Sequence, residues 1–104
     1  MKLSTLIRYQ KAFDLLKEAN AKRAQDADVL LKMGYILQQL DQNEEALSYY
    51  KEALEKDKEN EYIHNAIASI YRAKNEFVSA RMHLSASLAI NNQNTITYYN
   101  YGNL

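Results

Sequence analysis

The sequence predicts an all-α protein in which pairs of helices repeat along the chain. Similar side chains recur every 34 residues, at Ala12, Ala46 and Ala80, at Leu16, Tyr50 and Leu84, and at Gly34, Ala68 and Gly102. The 104 residues include no proline and only two glycines, which favours long helices joined by short polar connections. Short oxygen-bearing side chains precede the helical stretches at the same period, at Asp26, Asn60 and Asn94. Repetition at roughly 20–50 residues indicates stacked supersecondary units.

The first segment, residues 1–26, predicts one long helix over about residues 4–23. Its apolar side chains include Leu6, Phe13 and Leu16. In the 34-residue register this helix corresponds to the second helix of a unit. The segment is therefore interpreted as the second helix of a partial repeat.

Residues 27–60 predict a full repeat, with helices at about 27–40 and 44–57. Asp41 lies in the connection, where aspartate tolerates the left-handed backbone of a tight turn. Gly34 lies inside the first helix, where glycine costs roughly 1 kcal/mol relative to alanine. We therefore expect Gly34 to serve a close contact between the two helices.

Residues 61–94 predict a second full repeat, with helices at about 61–74 and 77–91. Asn75 takes the turn position that Asp41 holds in the first repeat.

Residues 95–104 match the start of a third, truncated repeat, because Tyr98, Tyr101 and Gly102 fall at its first packing positions. Core packing is accordingly the expectation for these tyrosines, as for Tyr50 and Tyr71. The pattern is that of a segment of a longer array, or of a chain that completes itself by pairing with another chain.

The pattern resembles the tetratricopeptide repeat, a 34-residue helix–turn–helix with the signature W-x2-L-G-x2-Y, then A-x3-F, then often proline. The matching residues are Leu30, Met33, Gly34, Leu37, Ala46, Tyr50 and Ala53 in the first repeat, and His64, Ile67, Ala68, Tyr71, Ala80, Leu84 and Ser87 in the second. Lys58 and Asn92 stand where the family often has proline. The resemblance implies a right-handed superhelical solenoid of antiparallel helix pairs, with about two full repeats plus flanking partial repeats.

The resemblance also implies that the first helix of each repeat lines a concave face that binds a peptide or a partner helix. Tyrosine offers apolar area with a polar tip, and amides can bond to an extended backbone. On this face the expected partner-binding residues are Leu31, Lys32, Tyr35, Gln38, Tyr62, Asn65, Ser69, Arg72 and Tyr99. The alternative is a solvated surface without a ligand. Leu31, Tyr35 and Ala66 stand where some relatives grip a C-terminal carboxylate, so we do not expect binding of chaperone tails.

Charge is balanced overall but unevenly spread along the chain. Residues 1–25 carry a net charge of +4, residues 26–61 of −6 and residues 62–104 of +2. A net charge of zero argues against general nucleic-acid binding, which depends on neutralising phosphates. The segments suit solvated helix faces, or attraction between the ends of neighbouring chains.

Nothing in the sequence predicts catalysis, a cofactor or a metal site. Cysteine is absent, and the two histidines, His64 and His83, are 19 residues apart without the spacing of a zinc motif. No glycine-rich phosphate loop or nucleophile elbow is present. The prediction is a non-catalytic, cytoplasmic module for protein–protein interaction that inserts into no membrane. The alternative is a structural or self-associating segment that forms homo-oligomers through its truncated ends.

Overall fold

The computed structural model describes residues 2–22 and 26–104. These residues form six α-helices and no strand. The helices are α1 (Leu3–Lys22), α2 (Ala27–Gln39), α3 (Asn43–Lys56), α4 (Glu61–Ala73), α5 (Phe77–Ile90) and α6 (Thr95–Gly102). They divide into two compact units, Met1–Lys56 and Asp57–Leu104.

In the first unit, α2 and α3 form a tight helical hairpin, and α1 packs against α2. The turn between α2 and α3 requires a left-handed residue, and Asp41 supplies it with φ 60°. The backbone N–H of Gln42 donates to the carbonyl of Leu37 at 2.9 Å, which satisfies a carbonyl that the helix end leaves free.

The core of the first unit includes the side chains that the 34-residue register marks as packing positions. Leu30, Met33, Leu37, Ala46, Tyr50 and Ala53 are all buried. Gly34 is a point of close approach between α2 and α3, because a Cβ atom there would lie 2.5 Å from Cε1 of Tyr50. The ring of Phe13 on α1 meets Tyr49 on α3 edge to face, with centroids 6.0 Å apart.

In the second unit, α4 and α5 form an equivalent hairpin, and α6 packs on both of its helices. Asn75 supplies the left-handed turn residue with φ 62°. The second-repeat core contains the buried side chains of Ile63, Ile67, Ala68, Ile70, Ala80 and Leu84. Tyr71, Tyr101 and Leu104 pack over part of this core.

The helix starts follow the predicted caps. The Asp26 side chain accepts from the N–H of Asp28, the Asn60 side chain from Tyr62 and Ile63, and the Asn94 side chain from Thr97. The predicted helices and caps of both hairpins are therefore confirmed within one residue of their limits. The predicted end of the first helix, at residue 23, lies outside the described residues. The repeat limits at 27–60 and 61–94 stay predictions.

The expectation that Tyr98 packs in the core is wrong. Tyr98 is 52% exposed rather than a core residue. Gly102 has no neighbouring atom within 4 Å of where its Cβ would be, so this glycine serves no close contact. Both residues are exposed.

Candidate functional site

The face of α4 that the sequence predicts as a binding surface is formed by four side chains spaced three or four residues apart. Tyr62 is 61% exposed and Arg72 is exposed, whereas Asn65 and Ser69 are half-buried. Asn60 caps the start of α4, and its side chain accepts from the backbone N–H of Tyr62, so Tyr62 lies on the first turn of the helix. An aromatic side chain and a cation therefore stand at opposite ends of one helix face.

Asn65 is the residue of this face that connects α4 to α6. Its Nδ2 donates to Oγ1 of Thr97 at 2.9 Å, and the Oγ atoms of Thr97 and Ser87 are 3.0 Å apart. The Ser87 hydroxyl lies 3.3 Å from the backbone carbonyl of Glu61. Ser87 and Thr97 are fully buried, so a polar chain crosses the interior and joins α4, α5 and α6.

The direction of this polar chain follows from its last acceptor. A carbonyl oxygen can only accept, so the Ser87 hydroxyl donates to Glu61 and accepts from Thr97. The Thr97 hydroxyl therefore donates to Ser87 and accepts from Asn65. The Oδ1 atom of Asn65 is buried without a hydrogen-bond partner. The amide group of Asn65 thus donates one hydrogen bond within the fold, and its oxygen is a buried acceptor without a partner.

A second set of polar contacts fixes the start of α6. The Glu61 carboxylate accepts from Nδ2 of Asn91 at 3.2 Å and from Nδ2 of Asn94 at 2.9 Å. Asn94 meanwhile caps α6 by accepting from the N–H of Thr97 at 3.1 Å. These contacts hold the short helix α6 against the hairpin, and with it the exposed ring of Tyr99.

The α6 side of the face is largely exposed and aromatic. Tyr99 is 71% exposed and Ile96 is 61% exposed. A small cavity between the helices of this unit is lined by Ala68, Ser69, Arg72, Leu84, Asn100 and Leu104. The structure thus brings Ser69 and Arg72 of α4 together with Asn100 of α6.

The four predicted residues of α2, in the first unit, differ in exposure and in the partners they already have. Tyr35 is 55% exposed and Leu31 is half-buried. Lys32 forms an ion pair with Asp28 at 2.9 Å, and the hydrogen bond and charge of Asp28 raise the pKa of Lys32. Gln38 accepts a hydrogen bond from the hydroxyl of Tyr50 at 2.8 Å. Its Oε1 is therefore already engaged by the core.

The two histidines, far apart in sequence, meet in the second unit. Their Nδ1 atoms lie 3.1 Å apart, and the ring of Tyr71 stacks on His83 with centroids 5.8 Å apart. The spacing of 19 residues gave no signal for this contact, because it depends on how α4 pairs with α5. Among the described residues no group of three or more histidine, cysteine, aspartate or glutamate side chains could hold a metal ion.

The exposed side chains of the second unit include residue types that commonly contact other proteins. Exposed tyrosines, amides and an arginine are side chains of this kind, and they project from helices held by caps and buried hydrogen bonds.

Within residues 2–22 and 26–104, no helical segment combines the length and hydropathy that a bilayer crossing needs.

Comparison with known families decides the family. The sequence model of the tetratricopeptide repeat matches residues 8–70, which is more than half of the 104 residues. The chain belongs to the tetratricopeptide repeat family. The fold class predicted from the 34-residue period, an all-α helical repeat, is thereby confirmed. No curated protein sequence matches the chain.

Solved tetratricopeptide repeat structures share this fold. A thermophilic protein of Thermus thermophilus is 20% identical with a TM-score of 0.85, over 91% of this chain and 48% of that one. The type III secretion chaperone SycD of Yersinia enterocolitica, in complex with a peptide of the translocator YopD, is 15% identical with a TM-score of 0.85, over 96% of this chain and 82% of that one. YrrB, described as having an unusual peptide-binding site, is 22% identical with a TM-score of 0.80, over 85% of this chain and 45% of that one. The chain thus spans about half the length of the first and third of these proteins.

Proposed function

We propose that this chain is a non-catalytic protein-interaction module that binds an extended peptide or a partner helix on the face predicted from the sequence. The observation that carries the proposal is the exposure of Tyr62 and Tyr99 on two helices that contact each other. A large apolar side chain that stays two-thirds exposed on a fixed helix gains from burial under a ligand without first having to be ordered.

Polar groups on the same two helices support a peptide rather than a purely apolar ligand. Arg72 of α4 and Asn100 of α6 border one cavity, and each offers hydrogen-bond donors. A peptide backbone presents carbonyl groups that such donors can bind. Tyrosine and arginine are also the residue types that most often dominate binding energies at interfaces.

The ligands of two similar structures support the same role. SycD was solved with a peptide of YopD, and YrrB carries a peptide-binding site. The fold common to these proteins and this chain is compatible with such a role, while the sequence and length of a peptide for this chain depend on its own surface.

The predicted residues differ in exposure and in the partners they already have. Tyr62, Tyr99 and Arg72 are exposed in the second unit and Tyr35 in the first, so we expect these residues to contribute most to binding on their own unit. Lys32, Gln38 and Asn65 already have partners within the fold, and Leu31 and Ser69 are half-buried. We expect these five to contribute less.

The experiment is a selection from a displayed library of random 12-residue peptides, followed by titration of the selected peptide. Tyr62→Ala and Tyr99→Ala should each weaken binding about tenfold or more, since such anchors typically contribute 1 kcal/mol or more. Tyr98→Ala is the matched control, because Tyr98 is a half-exposed tyrosine on the same helix and outside the predicted face. Equal losses for Tyr98→Ala and Tyr99→Ala would reject this face.

A self-associating segment is the second candidate. It is favoured by the exposed apolar side chains of the terminal helices, among them Leu3 at 71% on α1 and Tyr98 at 52% on α6. Light scattering across a concentration series tests it. If these ends mediate assembly, Leu3→Lys and Tyr98→Lys should lower the apparent mass, and an unchanged concentration dependence would exclude them.

A further inference from the structure

The outward face of α5 carries a narrow seam without charge. Val78, Met82, Ser85 and Ala89 follow one another at intervals of four, three and four residues, which places them on one line along the helix. All four are exposed, Val78 to 71% and Met82 to 66%. Arg81 is the only charged residue among the 14 of this helix.

The other hairpin of the same chain shows what a solvated face looks like at these positions. Each seam residue has a counterpart 34 residues earlier, on α3, and these are Glu44, Ser48, Lys51 and Glu55. All four counterparts are exposed, and three are charged. The uncharged seam of α5 is therefore a departure within one repeat pattern rather than a property of outward-facing helices in this chain.

We propose that the seam is a self-association surface, on which α5 packs antiparallel against α5 of a second copy of this chain. The proposal is independent of the peptide-binding function and uses a helix other than the terminal ones. The seam's intervals are those of the a and d positions of a coiled coil. A twofold axis between Met82 and Ser85 would bring Met82 opposite Ser85 of the second copy, and Val78 opposite Ala89.

Residue size makes the seam complementary to itself in this direction. The two large side chains lie in the first half of the helix and the two small ones in the second half, so an antiparallel pair places a large residue against a small one in every layer. A parallel pair would instead oppose Met82 to Met82 and Ser85 to Ser85. Self-complementarity of this kind is what a twofold interface requires.

The area of the seam sets the strength of the association. It is one line of side chains about three helical turns long. Its area is therefore smaller than the roughly 800 Å² per partner of a standard stable interface. Phe77 and Ile90, 42% and 40% exposed, add apolar area at the two ends of the helix. The association is therefore a weak dimer in exchange with the monomer.

Sedimentation velocity across a concentration series is the first test. The unchanged chain should shift from monomer to dimer as concentration rises, and Met82→Lys should weaken dimerisation about tenfold or more, because it would place an unpaired ammonium in the seam. Leu15→Lys on α1 is the matched control, since Leu15 is 67% exposed and Met82 is 66% exposed. A chain that stays monomeric throughout, or one that responds equally to both changes or only to Tyr98→Lys, would overturn the proposal.

Disulfide trapping tests the direction of the pair and benefits from the absence of cysteine in the chain. Met82→Cys and Ser85→Cys chains are mixed in equal amounts and oxidised in air. The antiparallel pair predicts mainly cross-links between position 82 of one copy and position 85 of the other. Mainly 82–82 and 85–85 cross-links would overturn the antiparallel arrangement, and a statistical mixture would show random collision instead of a defined pair.

Discussion

Gly34 and Tyr50 occupy the same point of the contact between α2 and α3, since a Cβ atom on Gly34 would lie 2.5 Å from Cε1 and 2.6 Å from Cδ1 of the Tyr50 ring. The ring is fully buried and its hydroxyl donates to Gln38 at 2.8 Å. It cannot move aside without breaking that bond. The missing side chain of Gly34 is thus part of the packing of the first unit.

Gly34→Ala should destabilise the protein by about 1–3 kcal/mol, because even one added methyl group overpacks this contact. The opposite outcome would be expected from helix propensity alone, by which alanine is better than glycine. Gly102→Ala is the control, since nothing lies within 4 Å of its Cβ position. Urea titration of both variants measures the free energy of unfolding, and equal values for the two would show that the Gly34 contact is not tight.

Tyr50 should also make the protein sensitive to alkali. Burial, and to a smaller extent the charge of Tyr35, raise the pKa of Tyr50 well above its usual value of 10.0. Above pH 10 the unfolded chain loses the Tyr50 proton while the folded chain keeps it, so this group's contribution to stability is complete below pH 10 and declines as pH rises.

The measurement is the difference in unfolding free energy between the unchanged chain and Tyr50→Phe, from pH 8 to pH 11.5. The difference should move against the unchanged chain by up to about 1.4 kcal/mol per pH unit above pH 10. A difference that stays constant across this range would mean that the Tyr50 hydroxyl reaches solvent in the folded protein.

Thr97 should control how firmly α6 is held. Thr97→Val keeps the shape but leaves the Nδ2 group of Asn65 without its acceptor and the Ser87 hydroxyl without its donor. Unsatisfied buried polar groups typically cost about 1–3 kcal/mol each. Amide hydrogen exchange in α6 should accelerate strongly in Thr97→Val and not in Thr95→Val, where the side chain is exposed. Similar exchange in both variants would show that the buried chain does not hold α6.

His64 and His83 should adopt different tautomers. A hydrogen bond between two Nδ1 atoms 3.1 Å apart needs one ring that carries its proton on Nδ1 and one that has a lone pair there. Nitrogen-15 spectra at neutral pH should therefore show one histidine of each tautomer, and His64→Phe should release His83 from this constraint. Two rings that both carry the proton on Nε2 would contradict the pairing.

Much of the fold could be predicted because its determinants are local and periodic. The caps at Asp26, Asn60 and Asn94 act on backbone groups two or three residues away, and the left-handed turns at Asp41 and Asn75 need only a suitable residue at a fixed position. Gly34 could be interpreted because a glycine inside a helix is unfavourable unless space requires it. In each case the sequence neighbourhood contains the cause.

The buried polar contacts could not be predicted because their partners lie on different helices. Asn65 and Thr97 are 32 residues apart, and His64 and His83 are 19 apart, so neither pair shows in a helical period. The register predicts Asn65 as a binding residue, since a register gives the side of the helix on which a residue lies. It does not show that a neighbouring helix forms a hydrogen bond with that side chain, as α6 does here. Ser87 gave a partial signal, as a polar residue where the earlier repeat has Ala53.

Peptide binding by the Tyr62–Tyr99 face is the central claim, and titration of a peptide selected on the unchanged chain tests it most directly. Isothermal calorimetry should give saturable binding that Tyr62→Ala and Tyr99→Ala each weaken about tenfold or more, with Tyr98→Ala close to the unchanged chain. Circular dichroism should show the same helix content in all four proteins. Undiminished binding in both Tyr62→Ala and Tyr99→Ala, or a library that yields no binding peptide, would contradict the claim.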